Sequence, residues 1–339
     1  MFDPENLPFP RSLPEFQRVF PDDAACAAYL EAIRWRGGFV CIGCGWTGEP
    51  WRIKTRPYVL VCRKCRKETR ITAGTVMQDT HMPLSVWFWA AYLVATDTAG
   101  ISAVQFQRQL GLTVYETAFQ LLHKLRAGMV RPERDRIGAG VREHVEVDET
   151  WVGGRTRGQG RGVNEQTLVL AAVEVRHRNP KGVKTLRRGG RYAGRIRLEV
   201  VPDRTARSLT RFIQSAVEPG AAVVTDGWHG YRPLTALGYR HLPVAAQGDP
   251  EIAEEFLPIS HLIFSNLKSW IRGCHHGVSP QHLQAYLNEF AFRFNRRFYP
   301  FNSFRSLLGI GGHAPAPTYA GLYSGEWEHP RVSENRLIA

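Results

Sequence analysis

The sequence contains no apolar run long enough to cross a lipid bilayer, and this absence narrows the classes of protein that it can encode. The longest apolar stretch, residues 83–95, is shorter than the roughly 20 residues that a membrane-spanning helix needs. The first eleven residues are acidic and contain prolines, whereas a secretory signal has a basic segment followed by an apolar one. We therefore expect a soluble cytoplasmic protein with no membrane partner.

Acidic residues are scarce relative to basic ones. The 339 residues include 44 lysines and arginines against 31 aspartates and glutamates, which gives a formal net charge of +13. A soluble protein with this balance usually has a polyanionic partner, and nucleic acid is favoured over an anionic membrane surface. The apolar fraction of 43% is ordinary, and the length allows two or three domains.

Cysteines are too few for a disulfide framework in a chain of this length, and four of the six form two C-x-x-C pairs. The pairs are Cys41 with Cys44 and Cys62 with Cys65, separated by seventeen residues. Two such turns suit a tetrahedral Zn²⁺, and a ribbon this small needs the ion to fold. We predict a structural zinc and, from the density of basic residues around the second pair, DNA phosphate contacts. The candidates are Arg63, Lys64, Arg66 and Lys67.

Two short helices are predicted after the ribbon. Ser102 can cap the first helix and Gly111 can end it, while Thr113 and Glu116 form a capping box for the second. Two helices joined by a short turn that contains glycine match the helix-turn-helix DNA-binding motif. The basic residues of the second helix that could contact DNA are Lys124 and Arg126.

Carboxylates lie inside or directly after predicted strands, where an unpaired acid is costly. Residues 144–152 form one strand with acidic residues inside it, and residues 221–225 form another that ends at Asp226. Two carboxylates brought side by side could hold Mg²⁺ or Mn²⁺ for two-metal chemistry on a phosphodiester.

A further ligand is expected on a helix beyond the last strand, within residues 261–277. His261, Lys268 and Arg272 share one face of that helix, so the two cations could touch DNA phosphates beside the metal. Loops rich in glycine and arginine border the strands and could follow a phosphate backbone. Their candidate residues are Arg155, Arg157, Arg187 and Arg188.

Together these segments resemble insertion-sequence transposases that have an N-terminal zinc ribbon and an ISXO-like domain, within the Asp-Asp-Glu superfamily. Besides the cysteine pairs, the matching segments are residues 147–154, 225–231, 265–268, 273–277 and 286–297. The resemblance implies a ribonuclease H-like fold, metal-dependent DNA cleavage and strand transfer, and a homodimer or larger complex on DNA in a bacterial nucleoid. By this matching Asp148 and Asp226 are the first two metal ligands. Glu149 is secondary, because adjacent strand residues point to opposite faces.

The third ligand departs from the common pattern of the family, since many relatives carry Glu where this sequence has His261. Asn266 would fill that role in an Asp-Asp-Asn subgroup. The two are roughly 140° apart on one helix, so both cannot face the metal. His261 shares a face with Lys268 and suits Mn²⁺ better than Mg²⁺, whereas Asn266 offers a hard oxygen. Backup acids are Glu254, Glu255 and Glu289.

The fold class predicted from the sequence is multidomain α/β. The expected parts are a helical segment at 1–36, a zinc ribbon at 37–75, a helix-turn-helix domain at 76–135, a ribonuclease H-like catalytic domain (a mixed β-sheet with flanking helices) at 140–310, and a tail at 311–339. The expected activity is that of a DNA transposase, acting on double-stranded DNA of the element's terminal inverted repeats and of the target. Two alternatives stay open: an inactive or domesticated DNA-binding relative, and a ribonuclease H-like nuclease or resolvase without strand transfer.

Overall fold

The structure is a computed structural model. It describes residues 2–3, 6–131, 135–140, 143–153, 166–178, 190–244, 256–324 and 326–331. The chain divides into two compact units, one of Met1–Met129 with Arg296–Glu328 and one of Val130–Asn295 with His329–Ala339. Within the described ranges, no helix combines the length and the apolar character needed to cross a membrane.

The regular elements are numbered in chain order. The helices are α1 (Leu13–Val19), α2 (Asp23–Arg34), α3 (Leu84–Thr96), α4 (Ala103–Gln109), α5 (Tyr115–Ala127), α6 (Ala206–Ala216), α7 (Pro258–Trp270), α8 (Pro280–Asn295), α9 (Pro300–Gly311) and α10 (Tyr319–Ser324). The strands are β1 (Trp51–Ile53), β2 (Arg56–Val61), β3 (Glu68–Arg70), β4 (His144–Gly153), β5 (Gln166–His177), β6 (Arg191–Val200), β7 (Ala222–Thr225) and β8 (Arg240–Pro243). A 3₁₀ turn spans His229–Leu234, and a π-helical turn at Ile271–His275 extends α7.

The first unit has an aromatic core that helices from both ends of the chain share. Phe304 of α9 lies 5.6 Å from Phe20 and 6.0 Å from Phe88, measured between ring centroids, and Phe16 and Tyr29 join the same cluster. Such ring contacts bury large apolar areas. Because of them the chain leaves the second unit at residue 295, so the structure does not follow the boundary that we expected at residue 310. Helix α10 likewise lies in the first unit, in what we expected to be a tail.

Helices α4 and α5 form where two helices were predicted. The Ser102 hydroxyl accepts a hydrogen bond from the backbone N–H of Gln105 at 3.2 Å, and Gly111 adopts a φ of +62°, which ends the first helix. The expected cap at Thr113 is wrong, because the residue that precedes α5 is Val114 and its side chain makes no capping bond.

The second unit is built on a mixed five-stranded sheet of order β6-β5-β4-β7-β8. Strands β4, β5 and β6 pair antiparallel, while β7 runs parallel to both β4 and β8. Helix α6 covers one face and α7 with α8 covers the other, each over its own apolar cluster. Since both faces of β4 and β5 are covered along the middle of the strands, a charged side chain there is buried and needs a partner.

Candidate zinc site and candidate active site

The four cysteines of the ribbon converge on one point. Their ligand atoms all lie within 4.8 Å of one another, with Cys41 Sγ 3.5 Å from Cys65 Sγ and Cys44 Sγ 3.7 Å from Cys62 Sγ. Four thiolates at these separations match the tetrahedral donor set of a structural zinc.

Two equivalent turns produce this convergence. In each turn the residue after the second cysteine has a left-handed backbone, Gly45 at φ +67° and Arg66 at φ +63°, and its N–H bonds back to the first cysteine's carbonyl. The backbone N–H of Gly43 points at Cys41 Sγ from 3.3 Å. This bond is the largest of the effects that together lower the pKa of Cys41 to about 6, which favours the thiolate that a metal binds.

One face of β4 is tied to α7 by polar contacts, starting with Glu146. This side chain is fully buried, and its Oε2 accepts hydrogen bonds from the N–H groups of Ile259 at 3.0 Å and Ser260 at 2.6 Å. Burial raises the pKa of Glu146 to about 7. The other oxygen, Oε1, is buried and has no hydrogen-bond partner among the described residues.

Two further contacts follow at alternate positions of the strand. Asp148, whose side chain is 12% exposed, lies 3.4 Å from His261 Nε2 through its Oδ2. Two residues later, Thr150 Oγ1 accepts a hydrogen bond from Lys268 Nζ at 2.7 Å. Thus His261 and Lys268, which we predicted on one helix face, both reach the same face of β4.

Asp226 directly follows β7, the strand that pairs in parallel with β4. In the parallel pair of β4 and β7, Glu146 is paired with Val224, and two residues further along each chain come Asp148 and Asp226. Adjacent strands are about 4.8 Å apart, so this register, continued by two residues, sets the two predicted carboxylates on neighbouring segments of the chain.

The opposite face of β4 carries a second polar network, around Glu149. Tyr231 donates a hydrogen bond to Glu149 Oε2 at 2.5 Å, and the Arg204 guanidinium pairs with Oε1. The same guanidinium lies 3.8 Å from Asp226 Oδ2 and 4.4 Å from the ring of Trp228. Burial raises the pKa of Glu149 despite these partners. Arg204 therefore balances the charge of two carboxylates.

For the third ligand of the metal, the geometry favours His261. His261 is beside Asp148, whereas Asn266 is exposed on α7. Glu289 is buried on α8, 3.7 Å from Arg293, and α8 packs on β6 rather than on β4 or β7. The other backup acids, Glu254 and Glu255, fall outside the described residues.

The donor set suits a hard cation, because Asp148 and Asp226 offer carboxylate oxygens. One oxygen of each is held by a nearby backbone N–H, from Glu149 at 2.8 Å and from Trp228 at 3.0 Å. However, the ligand atoms of Asp148, Asp226 and His261 are farther apart than those of the zinc site. Within the part of the chain that the structure describes, only the cysteines form a set of three or more His, Cys, Asp or Glu side chains whose ligand atoms all lie within 4.8 Å.

The residues predicted to contact DNA have different surroundings. The ribbon cations are exposed, although the Arg66 guanidinium stacks 3.9 Å from the ring of Trp51. Arg126 is 1% exposed, so the structure does not offer it to a phosphate. Lys124 is half-buried and donates to the carbonyl of Gln78 at 3.2 Å. Arg272 is exposed, and the four arginines of the predicted basic loops, Arg155, Arg157, Arg187 and Arg188, lie outside the described residues.

Sequence reasoning missed a group of exposed arginines, the basic surface, on α6 and on the 3₁₀ turn that follows Asp226. Arg207 and Arg211 lie one turn apart on the exposed side of α6, and Arg232 is exposed on the 3₁₀ turn that packs against that helix. The spacing of the two α6 arginines could have revealed them, but nothing in the sequence joins α6 to the turn after Asp226.

Comparison with known proteins matches both units. Residues 21–68 match the transposase zinc-ribbon domain, and residues 140–295 match the ISXO2-like transposase domain. The two matches thus cover the segments that hold the cysteine pairs and the acidic motifs. The resemblance inferred from the motifs is confirmed, and the cysteine cluster is that of the zinc-ribbon domain.

A relative supports the same assignment over most of the chain. An uncharacterized protein in transposable element ISH50 of Halobacterium salinarum is 25% identical over 304 residues, which cover 81% of this chain and 92% of that protein. No solved structure matches the chain. The similarity to transposases therefore rests mainly on the matches to the two domain families, because the relative is itself uncharacterized.

Proposed function

We propose that this protein is a DNA transposase that binds the ends of an insertion sequence and catalyses metal-dependent strand cleavage and strand transfer. The observation that carries the proposal is the parallel register of β4 and β7, in which Asp148 and Asp226 each lie two residues beyond the paired Glu146 and Val224, with His261 against Asp148. This arrangement lies inside the segment that matches a transposase domain.

The architecture of the second unit supports a ribonuclease H-like fold. Three antiparallel strands are followed by two that run parallel to the first, and helices cover both faces. In this order β4 is central, and the carboxyl end of β7 opens beside it. Side chains at such strand ends can meet a substrate without disturbing the core.

The catalytic work divides among residues of three elements. Asp148 and Asp226 would hold Mg²⁺ or Mn²⁺, with His261 as the neutral third ligand; the metal supplies activation of the attacking oxygen and stabilisation of the leaving oxygen. Lys268 can hold a DNA phosphate beside them, since Thr150 fixes its ammonium. The positive charge of Arg204 offsets the repulsion between the carboxylates of Glu149 and Asp226.

DNA binding is assigned to several parts of the chain. The zinc ribbon, with Zn²⁺ on its four cysteines, exposes Arg63, Lys64 and Lys67, and α4 with α5 would form the helix-turn-helix. Recognition helices of that motif read DNA with their N-terminal residues, which fits α5, whose first two residues, Tyr115 and Glu116, are exposed and whose C-terminal half is largely buried. A dimer or larger complex on the element ends belongs to the same proposal.

A strand-transfer assay on the element's own ends, with Mg²⁺ or Mn²⁺, tests the function. Asp148→Asn and Asp226→Asn are expected to lower cleavage and joining by roughly 10³-fold or more, because each removes several kcal/mol of charge stabilisation in the transition state. Both variants should still bind the ends. Ala variants of His261 and Asn266 then identify the third ligand, and we expect the His261 variant to fail.

The alternative is an inactive DNA-binding relative, which the missing third glutamate favours. Wild-type protein that binds the ends but joins nothing with either metal would establish it. Hydrolysis of the ends with no joining would instead indicate a nuclease.

A further inference from the structure

Helix α7 begins without a cap of its own. Leu257 precedes the helix and makes no capping bond with its side chain, and Pro258 opens the first turn. The first free N–H groups, those of Ile259 and Ser260, donate to Oε2 of Glu146 on β4. A carboxylate from a different element thus takes the place of the usual N-cap.

This cap lies next to the candidate active site. His261 directly follows Ser260, and its Nε2 is 3.4 Å from Asp148, which is two residues from Glu146 on the strand. At the far end of the helix, Lys268 and Thr150 form the other fixed contact. Of these contacts, the Glu146 cap is the one that is fully buried and that holds backbone atoms.

A contact to the backbone of a helix restricts the position of the whole helical turn, whereas a contact to a side chain restricts mainly that side chain. Two N–H groups on one carboxylate oxygen fix both the height of the first turn along β4 and its rotation about the helix axis. Rotation by one residue, about 100°, would carry His261 away from Asp148. The helix cannot supply an equivalent anchor, since its own first residues offer no capping side chain.

We infer that Glu146 is a positioning residue, which anchors the first turn of α7 and thereby holds His261 over Asp148. The inference rests on the proposed function, because it gives His261 and Asp148 their role. In this role Glu146 acts through His261, because its Oε2 binds the backbone of the two residues that precede it.

The anchor is tested first without metal, by amide hydrogen exchange of the full-length protein. Glu146→Ala should speed exchange at residues 259–261 by roughly tenfold or more, since it removes the acceptor of two backbone N–H groups. Glu146→Gln keeps one acceptor oxygen and should retain most of the protection. The matched control is Gln284→Ala, which removes another buried acceptor, for the N–H of Val200, away from α7.

The consequence for the site is tested by Mn²⁺ binding, followed by the loss of free Mn²⁺ signal in electron paramagnetic resonance. We expect Glu146→Ala to weaken binding by roughly tenfold, as residues that orient a ligand typically do, and Glu146→Gln and Gln284→Ala to bind as wild type. In a His261→Ala background, Glu146→Ala should cause no further loss. A general destabilisation would not cancel in this way.

The possible failures are distinguishable. If Asp148→Asn binds Mn²⁺ as wild type does, the proposed active site is wrong, and the inference fails with it. If Asp148→Asn abolishes binding but Glu146→Ala binds normally, or weakens binding equally with and without His261, the anchor is overturned while the function stands. Unchanged exchange at residues 259–261 in Glu146→Ala overturns it as well.

Discussion

The zinc ribbon and the acidic site are both candidate metal sites, but they are assembled in opposite ways. The ribbon's ligands come from one local segment, and two repeated turns bring all four within 4.8 Å. The acidic site takes Asp148, Asp226 and His261 from three distant elements, and its ligand atoms are more widely spaced. Like charges repel there, and a protein cation, Arg204, lies against them. We expect the small ribbon to need its metal to fold, whereas the acids belong to a sheet that has an apolar cluster on each face.

The largest expected difference comes from Cys62→Ser. Loss of one ligand should reduce bound zinc from one ion per chain to none and unfold the ribbon, because zinc binding supplies on the order of 10 kcal/mol to such a fold. Zinc content by atomic emission and end binding by gel shift measure the two effects.

Two variants serve as references for that experiment. Cys274→Ser changes a cysteine outside the ribbon and should keep both zinc and end binding. Asp226→Asn should leave zinc content and melting temperature intact. A cysteine variant that kept its zinc and its fold would erase the contrast between the two sites.

The next largest effect concerns Arg204 in the acidic site. Arg204→Ala leaves the buried carboxylate of Glu149 with only its bond from Tyr231. Removing one partner of a buried pair is costly, and since Arg204 is partly exposed we expect a loss of about 2 kcal/mol. Thermal unfolding at a fixed zinc concentration, with no added Mg²⁺ or Mn²⁺, measures it.

The control for Arg204 is its neighbour Arg207, which is exposed on α6. Arg207→Ala should change the free energy of unfolding by no more than about 0.5 kcal/mol. Equal melting of both variants would mean that the acids need no protein cation, and the acidic site would then resemble the ribbon more closely.

These contrasts explain what could be predicted from the sequence. The ribbon depends on spacing along a short segment, so its four ligands were predictable. Strand alternation predicted that Glu149 points away from Asp148, and helical periodicity predicted that His261 and Lys268 face the same way. Each of these predictions needs only the geometry of one element.

What could not be predicted depends on packing between distant segments. Arg204 reaches Glu149 from the loop before α6, and no local pattern joins them. Arg126 follows a helical face that seemed polar, yet the C-terminal half of α5 is enclosed by the core. Phe304 returns the chain to the first unit because an aromatic cluster there accepts its ring. Tertiary contacts decide all three.

A smaller effect tests whether the two units also divide the work of DNA binding. Affinity for DNA falls as salt rises. Combined alanine substitution of Arg207, Arg211 and Arg232 should make this fall less steep: the magnitude of the slope of log affinity against log salt should decrease by about one for each DNA phosphate that these arginines neutralise. Sequence preference for the element ends should persist, because the ribbon and the helices of the first unit remain. Filter binding over a salt series measures both.

The matched control for the basic surface is Arg240→Ala. Arg240 is exposed on β8 and is paired with Ala222, at the end of β7 opposite to Asp226. Its variant should bind as wild type. An unchanged slope in the triple variant would leave DNA contact to the first unit and to segments beyond those described.

The smallest expected effect is a pH dependence of the stability of the second unit, which contains His144. Burial, with His177 and Arg191 nearby, lowers the pKa of His144 to about 4. The fold therefore favours the neutral ring, so this stability is complete above about pH 6.5 and is lost as the pH falls toward 4. Because the ring is partly exposed, we expect a loss of about 1–2 kcal/mol by pH 5.

Amide exchange of the buried strand β5, corrected for the intrinsic rate, follows the second unit without interference from zinc loss in the ribbon. His144→Gln should flatten the change in protection between pH 7.5 and pH 5, whereas the exposed His177→Gln should alter it far less. An equal slope in wild type and His144→Gln would mean that β4 tolerates a buried charge at its first residue. The acids further along the strand would then not require their protein partners either.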